Sequence, residues 1–294
     1  MPAEEHAPDF DPAFDVIEPI AVTTPIVFNS PHSGRIYPQR FIRMARLDAL
    51  ALRKSEDAFV DELFAPCRAL GAPLLRAHFP RAWLDVNREA YELDPRMFEG
   101  RLPSFANTRS LRVAGGLGTI PRVVAESQEI YAAQLPVNEA MLRIEGVYKP
   151  YHRTLAHLVD RAARLFGVAA LLDCHSMPST ASEGAPPDFV IGDRFGCSAA
   201  SWLVDTIEGS LRARGYTVRR NKPYAGGFIT EHYGSPGQGR HAVQIEINRA
   251  LYMDERTFEK TARFRELAEA LYAMGLALAE RIRHEPLASP IAAE

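Results

Sequence analysis

The sequence predicts an α/β protein built on a mixed, largely parallel sheet that is covered by helices on both faces. Short apolar runs bounded by turn residues have the length of strands, and amphipathic stretches of helical length separate them. Alternation of strands and helices favours parallel pairing. Histidines also follow the ends of two apolar runs, and ligands bind at the carboxyl ends of strands in such sheets.

Five apolar runs are predicted to be strands. They are PIVFN (25–29), APLLRA (72–77), VAALLD (168–173), DFVIGD (188–193) and AVQIEIN (242–248). A further apolar run, AWLDVNREAY, ends on Asn87 and Arg88 and is expected to deliver them from a third strand end. In the last of the five, Val243, Ile245 and Ile247 should share one face and Gln244, Glu246 and Asn248 the other.

Helices are predicted between the strands, over 55–70, 125–167 and 198–215. Pro136 and Pro150 should break the second of these into pieces. A last amphipathic helix is expected to begin after Asp254, a suitable N-cap, and to carry apolar residues at helical spacing as far as Ile282.

The chain is expected to be a single domain, 1–294. Residues 1–18 contain three prolines and are followed directly by Pro19, so they should form an extended arm, and residues 285–294 should be frayed. An apolar content of 47% suffices for a packed core.

Charge and composition argue against several classes of partner. A net charge of -3 gives no basic field for nucleic acid or an anionic membrane. No apolar run reaches the roughly 20 residues of a membrane span, and the start of the chain does not resemble a signal peptide. We therefore expect a soluble cytoplasmic protein that acts on small molecules. Oligomeric state is not indicated.

The three cysteines match neither a metal knuckle nor a disulfide framework, so we expect reduced, buried thiols. Cys174 precedes His175, and strand alternation should turn the two side chains to opposite faces. This argues against Cys174 as a nucleophile.

His32 and His175 are candidate metal ligands. His32 lies between Pro31 and the Ser33-Gly34 turn, and His175 follows a predicted strand. Metal-bound histidines usually donate their second N–H to a carboxylate or a carbonyl, and Asp173 lies two residues back on the same strand face. The alternative is that each histidine is an ordinary hydrogen-bonded turn residue.

Two histidines and one carboxylate are a common ligand set in zinc hydrolases, with one position left for water. The compact motif His-x-x-Glu is absent, since Arg35 lies three residues after His32. Glu56 and Asp57 are the best carboxylate candidates. They follow Ser55, which could cap a helix, so favourable interaction with a helix dipole would explain both acids equally well.

Glu246 lies on the polar face of a strand in a sheet that helices should cover. A buried carboxylate needs a partner, and Glu246 would be a general base if it faced a metal and its water. Alternatively, the strand is at an edge and Glu246 faces solvent.

Arg88 is the best candidate for binding a carboxylate of a ligand, with Asn87 adding a neutral donor. The alternative is a structural ion pair with a nearby acid, Glu89, Glu92 or Asp94. Arg194, at the end of DFVIGDR, is a weaker candidate.

The segment from Gly226 to Gly239 is rich in glycine and carries Tyr233, with Arg240 directly after it. Its spacing differs from phosphate-binding motifs, which suggests a loop that closes over a ligand. An ordinary surface loop is the alternative.

Taken together, these segments resemble the N-formylglutamate amidohydrolase family. The matching pieces are SPHSGRIYP, SEDAFVDELF, DVNREAYELDPRMF, LLDCHSMPS, DFVIGDRFG and PYAGGFITEHYGSPGQGRHAVQIEINRALYMDE. The family is similar to zinc carboxypeptidases and aspartoacylases, which implies a phosphorylase/hydrolase-like mixed sheet with one zinc ion above it.

The resemblance implies that His32, His175 and an acid of the SED segment hold the zinc, with Asp57 preferred to Glu56. Glu246 would match the glutamate that activates water in the carboxypeptidase-like enzymes. The absent His-x-x-Glu motif is a departure, which makes the third ligand the least certain assignment.

The implied reaction is hydrolysis of N-formyl-L-glutamate to formate and glutamate, a step of histidine degradation. Asn87 and Arg88 would bind the α-carboxylate, and Arg194 or Arg240 the γ-carboxylate. Two other functions remain open. One is hydrolysis of a different N-acyl-amino acid, and the other is non-catalytic binding of zinc or an amino acid, against which Glu246 argues.

Overall fold

A computed structural model describes residues 9–124, 127–181 and 186–284 of the chain. Its strands, in chain order, are β1 (Phe14–Ile17), β2 (Ile26–Ser30), β3 (Leu74–Ala77), β4 (Phe98–Glu99), β5 (Leu135–Pro136), β6 (Ala169–Met177), β7 (Phe189–Gly192), β8 (Val218–Arg220), β9 (Arg240–Asn248), β10 (Met253–Asp254) and β11 (Glu259–Lys260). In the described residues, seven of them form a central sheet in the order β1-β3-β2-β6-β9-β7-β8.

Strand direction in the central sheet is mixed. β3, β2, β6 and β9 run parallel to one another, β7 is antiparallel to β9, and β8 is parallel to β7. The nine-residue ladder between β6 and β9 places His175 opposite Glu246. The predicted mixed, largely parallel sheet is confirmed.

The helices, in chain order, are α1 (Gln39–Met44), α2 (Ala49–Arg53), α3 (Val60–Phe64), α4 (Leu111–Ala114), α5 (Val137–Arg143), α6 (Lys149–Phe166), α7 (Ser201–Arg212), α8 (Phe228–Tyr233) and α9 (Phe264–His284). Residues of α3, α7 and α9 share one hydrophobic core with Leu172, Cys174, Val243 and Ile245 of the sheet. Because strand residues alternate between faces, Asp173, His175, Gln244 and Glu246 lie on the other face, as the sequence predicts.

The described residues form two compact units. One contains those among 1–15, 32–56 and 77–151. In it the buried guanidinium of Arg143 donates to the carbonyl of Trp83, the hydroxyl of Tyr131 and the carboxylate of Glu139. The other contains those among 16–31, 57–76 and 152–294, and it holds β6 to β9 and the hydrophobic core just described. The expected single domain stays a prediction.

The predicted amino-terminal arm is wrong for Phe14–Ile17, which forms β1 beside β3. The prolines that flank this segment lie outside the strand, so they do not interrupt its pairing. The first eight residues and the predicted frayed end at 285–294 lie outside the described residues.

The last helix is present but begins at Phe264, nine residues later than predicted. Asp254 does accept hydrogen bonds from the backbone N–H groups of Arg256 and Thr257. These bonds form a turn in the β10–β11 hairpin, so Asp254 caps a turn where the sequence suggested a helix.

The run 82–91 is not a strand. Turns form there instead, with the backbone N–H of Trp83 bonded to the carbonyl of Pro80. Asn87 and Arg88 therefore reach their positions from a turn and not from a third strand end.

Ser55 does not cap a helix, since its hydroxyl donates to the carbonyl of Leu52 and α3 begins only at Val60. Phe59 precedes α3 in a left-handed conformation, with φ of 64°. Glu56 and Asp57 thus lie outside the helix, and its dipole does not account for them.

The helix predicted from residue 125 begins only at Val137, directly after Pro136, and the described residues 127–135 form no α-helix that this proline could break. Pro150 does not break the chain of helices. A π-helical turn, Ile144–Tyr148, joins α5 to α6, and Pro150 falls in the first turn of α6. No described helix is long and apolar enough to cross a membrane.

Gly192 and Gly209 form a matched pair for testing the packing. A Cβ at Gly192 would lie 2.7 Å from the carbonyl carbon of Ala225, whereas a Cβ at Gly209, within α7, would meet nothing within 4 Å. Gly192→Ala should lower the free energy of unfolding by about 1–3 kcal/mol. Gly209→Ala should raise it by roughly 0.5–1 kcal/mol through helix propensity. Urea unfolding of both variants measures this, and equal effects would contradict the packing described for β7.

The three thiols should differ in reactivity. Cys67 and Cys174 are fully buried, whereas Cys197 is exposed, which corrects the expectation of three buried thiols. Burial raises the pKa of Cys67 to about 12 and that of Cys174 well above its usual value. A chromogenic disulfide reagent should therefore modify one thiol rapidly in the folded protein and all three after unfolding. Fast modification of a second thiol would contradict this burial.

Candidate metal centre and active site

His32 lies two residues beyond the end of β2 and is almost fully buried. The turn that carries it requires glycine at position 34, where a Cβ would come within 1.9 Å of the carbonyl oxygen of Phe79. The Nε2 atom of His32 lies 2.8 Å from Oδ1 of Asp85. This contact fixes the ring and directs Nδ1 away from Asp85.

Asp85 is a site residue that sequence reasoning missed. Besides His32, it contacts the side chain of Arg81 at 3.0 Å and accepts from the backbone N–H of Asn87 at 2.9 Å. Burial disfavours its charge, but Arg88, Arg81 and His32 outweigh burial and hold its pKa well below the usual value. Its position two residues before Asn87, in the turn-forming DVNR segment, could have indicated this role.

His175 is buried in β6 between two carboxylates. Its Nε2 lies 2.8 Å from Oδ2 of Asp173, the predicted contact, and its Nδ1 lies 3.0 Å from Oδ2 of Asp57. Burial lowers the pKa of His175, but the two carboxylates outweigh burial and hold it well above its usual value. The site is therefore arranged around a positive charge.

The two neighbouring acids of the SED segment have different partners. Oδ1 of Asp57 accepts from the hydroxyl of Ser176 and from Nη2 of Arg249, each at 3.2 Å. Glu56 instead accepts from the hydroxyl of Tyr37 at 2.6 Å and from Arg53 at 3.2 Å. Burial raises the pKa of Glu56.

Among the described residues, His32, Asp57 and His175 form a buried group that could hold a metal ion. Each offers one ligand atom, and these atoms lie within 4.8 Å of one another. Two imidazoles and one carboxylate are a donor set that suits zinc. Each of the three side chains also has a hydrogen-bond partner on a second polar atom, as ligands in metal sites do. The donor set thus fits the predicted ion.

Glu246 is buried in β9, which excludes the alternative that it faces solvent at an edge strand. It accepts from the side-chain amide of Gln244 at 2.7 Å, and the oxygen of that amide accepts from the backbone N–H of Gly227 at 2.8 Å. Because a backbone N–H can only donate, this pair of bonds fixes which end of the amide faces Glu246. Gln244 was missed as a site residue, although alternation placed it on the same face.

Arg88 is largely buried and already has several contacts. Its guanidinium donates to the backbone carbonyls of Leu117 and Asn87, both at 2.8 Å, and lies 3.5 Å from Asp85. Burial lowers its pKa to about 10. Its acidic contact is therefore Asp85, upstream in the chain, and not one of the three downstream acids considered from the sequence.

The remaining predicted substrate contacts lie in the glycine-rich region and on either side of it. Arg194 follows β7, is one-third exposed and pairs with Glu231 at 3.1 Å. Tyr233 ends α8, where its hydroxyl donates to the carbonyl of His152.

Arg240 begins β9 and pairs with Asp160 at 2.9 Å. Arg240 is six residues from Glu246 along an extended strand, so its backbone is about 20 Å away. These placements favour Arg194 over Arg240 as a substrate contact.

Comparison with known proteins identifies the family. The profile of the N-formylglutamate amidohydrolase family matches residues 24–253. N-formylglutamate deformylase of Pseudomonas aeruginosa is 32% identical over 267 residues, which cover 85% of this chain and 94% of that protein. The N-formylglutamate deformylase of Pseudomonas putida is 30% identical over 237 residues, covering 79% of this chain and 82% of that protein.

Solved structures agree with this result. The N-formylglutamate amidohydrolase of Ralstonia eutropha JMP134 has a TM-score of 0.87 at 38% identity, with 92% of this chain and 98% of that chain covered. A gene product of Agrobacterium tumefaciens, 20% identical with a TM-score of 0.61 over 92% of this chain and 96% of its own, shares the fold. The chain therefore belongs to the N-formylglutamate amidohydrolase family and is a hydrolase that acts on an amide.

Proposed function

We propose that the protein hydrolyses N-formyl-L-glutamate to formate and L-glutamate with one zinc ion, as a step of histidine degradation. The observation that carries the proposal is the buried group of His32, Asp57 and His175. His175 lies opposite Glu246 in the β6–β9 ladder, so a general base and a metal ligand share one face of the sheet. Relatives named for this reaction support the choice of substrate.

His32, Asp57 and His175 would hold the zinc. When bound, zinc would polarise the formyl oxygen and lower the pKa of a water molecule. Asp85 and Asp173 hold the two imidazoles through their Nε2 atoms, so Nδ1 of each ring is the atom that would hold the ion.

Glu246 is the proposed general base. It removes a proton from the attacking water and returns that proton to the amine nitrogen of glutamate as the C–N bond breaks. The bond from Gln244 holds one oxygen of Glu246 and so orients the carboxylate for proton transfer. Burial of the strand keeps bulk water from competing for this carboxylate.

Selectivity depends on the carboxylates of the substrate, since a formyl group offers little surface to recognise. Asn87 and Arg88 are proposed to bind the α-carboxylate, with the ion pair to Asp85 keeping the guanidinium in place. Arg194 is proposed to bind the γ-carboxylate. Its ion pair with Glu231 is partly exposed, so exchanging that partner for a substrate carboxylate costs little.

Formate release tests the proposal directly. The zinc-loaded protein should release formate from N-formyl-L-glutamate, and prior removal of metal by a chelator should abolish turnover until zinc is restored. N-acetyl-L-glutamate and N-formyl-L-aspartate serve as comparison substrates and should react more slowly. Turnover that is unaffected by complete metal removal would contradict the zinc mechanism, and a preference for another substrate would contradict the named reaction.

Glu246→Gln should lower kcat by about a hundredfold or more, because the amide cannot accept the proton from water. Zinc content should stay unchanged, since Glu246 is not a proposed ligand. Glu139→Gln is the matched control. Glu139 is an equally buried glutamate, and its partners are Arg143 and Arg40.

The control variant should lose stability but keep its kcat. Steady-state kinetics and metal analysis of both variants check this. Near-normal turnover by zinc-loaded Glu246→Gln would remove Glu246 from the proposed mechanism.

A further inference from the structure

Arg249 lies directly after β9 and is buried, with less than a tenth of its side chain exposed. Its Nη2 atom donates to Oδ1 of Asp57 at 3.2 Å, and its Nε atom donates to the hydroxyl of Ser176 at 3.1 Å. That hydroxyl in turn donates to the same Oδ1 of Asp57 at 3.2 Å. The three side chains form a closed triangle of hydrogen bonds.

The position of Arg249 follows from the end of the strand. The side chain of Asn248 accepts from the backbone N–H of Ala250 and begins a 3₁₀ turn, Arg249–Leu251. The turn ends the extended chain immediately after Asn248, which places Arg249 three residues past Glu246. One short segment thus supplies both the proposed base and the arginine that contacts Asp57.

Both donors of the triangle contact the same oxygen of Asp57. Oδ1 accepts from Arg249 and Ser176, whereas Oδ2 faces Nδ1 of His175 at 3.0 Å. A carboxylate whose first oxygen is held by two donors cannot rotate freely about its Cβ–Cγ bond. The second oxygen is therefore kept on the side of the histidine.

We propose that Arg249 is a positioning residue for the metal centre, which with Ser176 makes Asp57 present a single oxygen to the ion. The inference rests on the metal centre proposed above. A carboxylate that binds through one oxygen occupies one coordination position, which keeps a further position for water or substrate. The guanidinium also balances the charge of a carboxylate that is buried whether or not metal is bound.

The test uses metal binding and a spectroscopic signature in place of turnover. Arg249→Met should weaken zinc binding by about tenfold to a hundredfold, as loss of a group that orients a ligand commonly does. Competition with a coloured chelator measures the affinity. In the cobalt-substituted variant the visible bands should lose intensity, because a freed Asp57 can bind through both oxygens and raise the coordination number.

Two further variants cover the case in which Arg249→Met does not fold. Arg249→Lys retains the charge but cannot reproduce the planar fork to Asp57 and Ser176, so its zinc affinity should be intermediate. Ser176→Ala removes one of the two donors to Oδ1 and should change the cobalt spectrum in the same direction as Arg249→Met.

Arg143→Met and Arg143→Lys are the matched controls, because Arg143 is equally buried and paired with Glu139. These variants should lower thermal stability without changing zinc affinity or the cobalt spectrum. If Arg249 only stabilised the fold, its variants would also lower thermal stability and leave zinc affinity and the cobalt spectrum unchanged.

The outcomes separate this inference from the proposed reaction. A folded Arg249 variant with unchanged zinc affinity and cobalt spectrum overturns the inference and leaves the reaction intact. Changed metal binding in Arg249 variants, with no formate release by the unsubstituted zinc-loaded protein, supports the inference and rejects the proposed substrate. Absence of metal binding by the unsubstituted protein overturns both the inference and the zinc mechanism.

Discussion

The burial of Asp57 and Asp173 on either side of His175 is the constraint on which the rest of the site depends. Two buried carboxylates need positive charge and hydrogen-bond donors close by. The raised pKa of His175, which favours the protonated imidazole, meets the first need. Donors from Asn29 to Asp173 and from Arg249 to Asp57 supply the second. The same arrangement suits a metal ion that would replace the proton. Folding stability and metal binding therefore favour the same placement of these side chains.

The predictable parts of the structure are those that depend on neighbours along the chain. Strand alternation alone separates Cys174 in the hydrophobic core from His175 on the opposite face, and it separates Ile245 from Glu246 in the same way. The strand runs are also recognisable because each is apolar, short and ended by turn residues. A candidate ligand and a candidate base on one face of a sheet follow from these local patterns.

The parts that sequence reasoning missed depend on partners far away in the chain. Asp85 matters because it meets His32, 53 positions earlier, and Arg249 because it meets Asp57, 192 positions earlier. Neither pairing leaves a periodic pattern that the sequence displays. The β10–β11 hairpin shows the same limit, since the capping preference of Asp254 is real but serves a turn whose existence depends on strand pairing.

The uninterrupted pairing of β6 with β9 also affects how this chain can change over evolution. A one-residue insertion or deletion within β9 would shift every later side chain to the opposite face and exchange Glu246 with an apolar neighbour. Insertions in the segments that connect the strands carry no such penalty, because they leave the register untouched. Lineages of this fold are therefore free to alter connecting segments while Glu246 stays opposite His175.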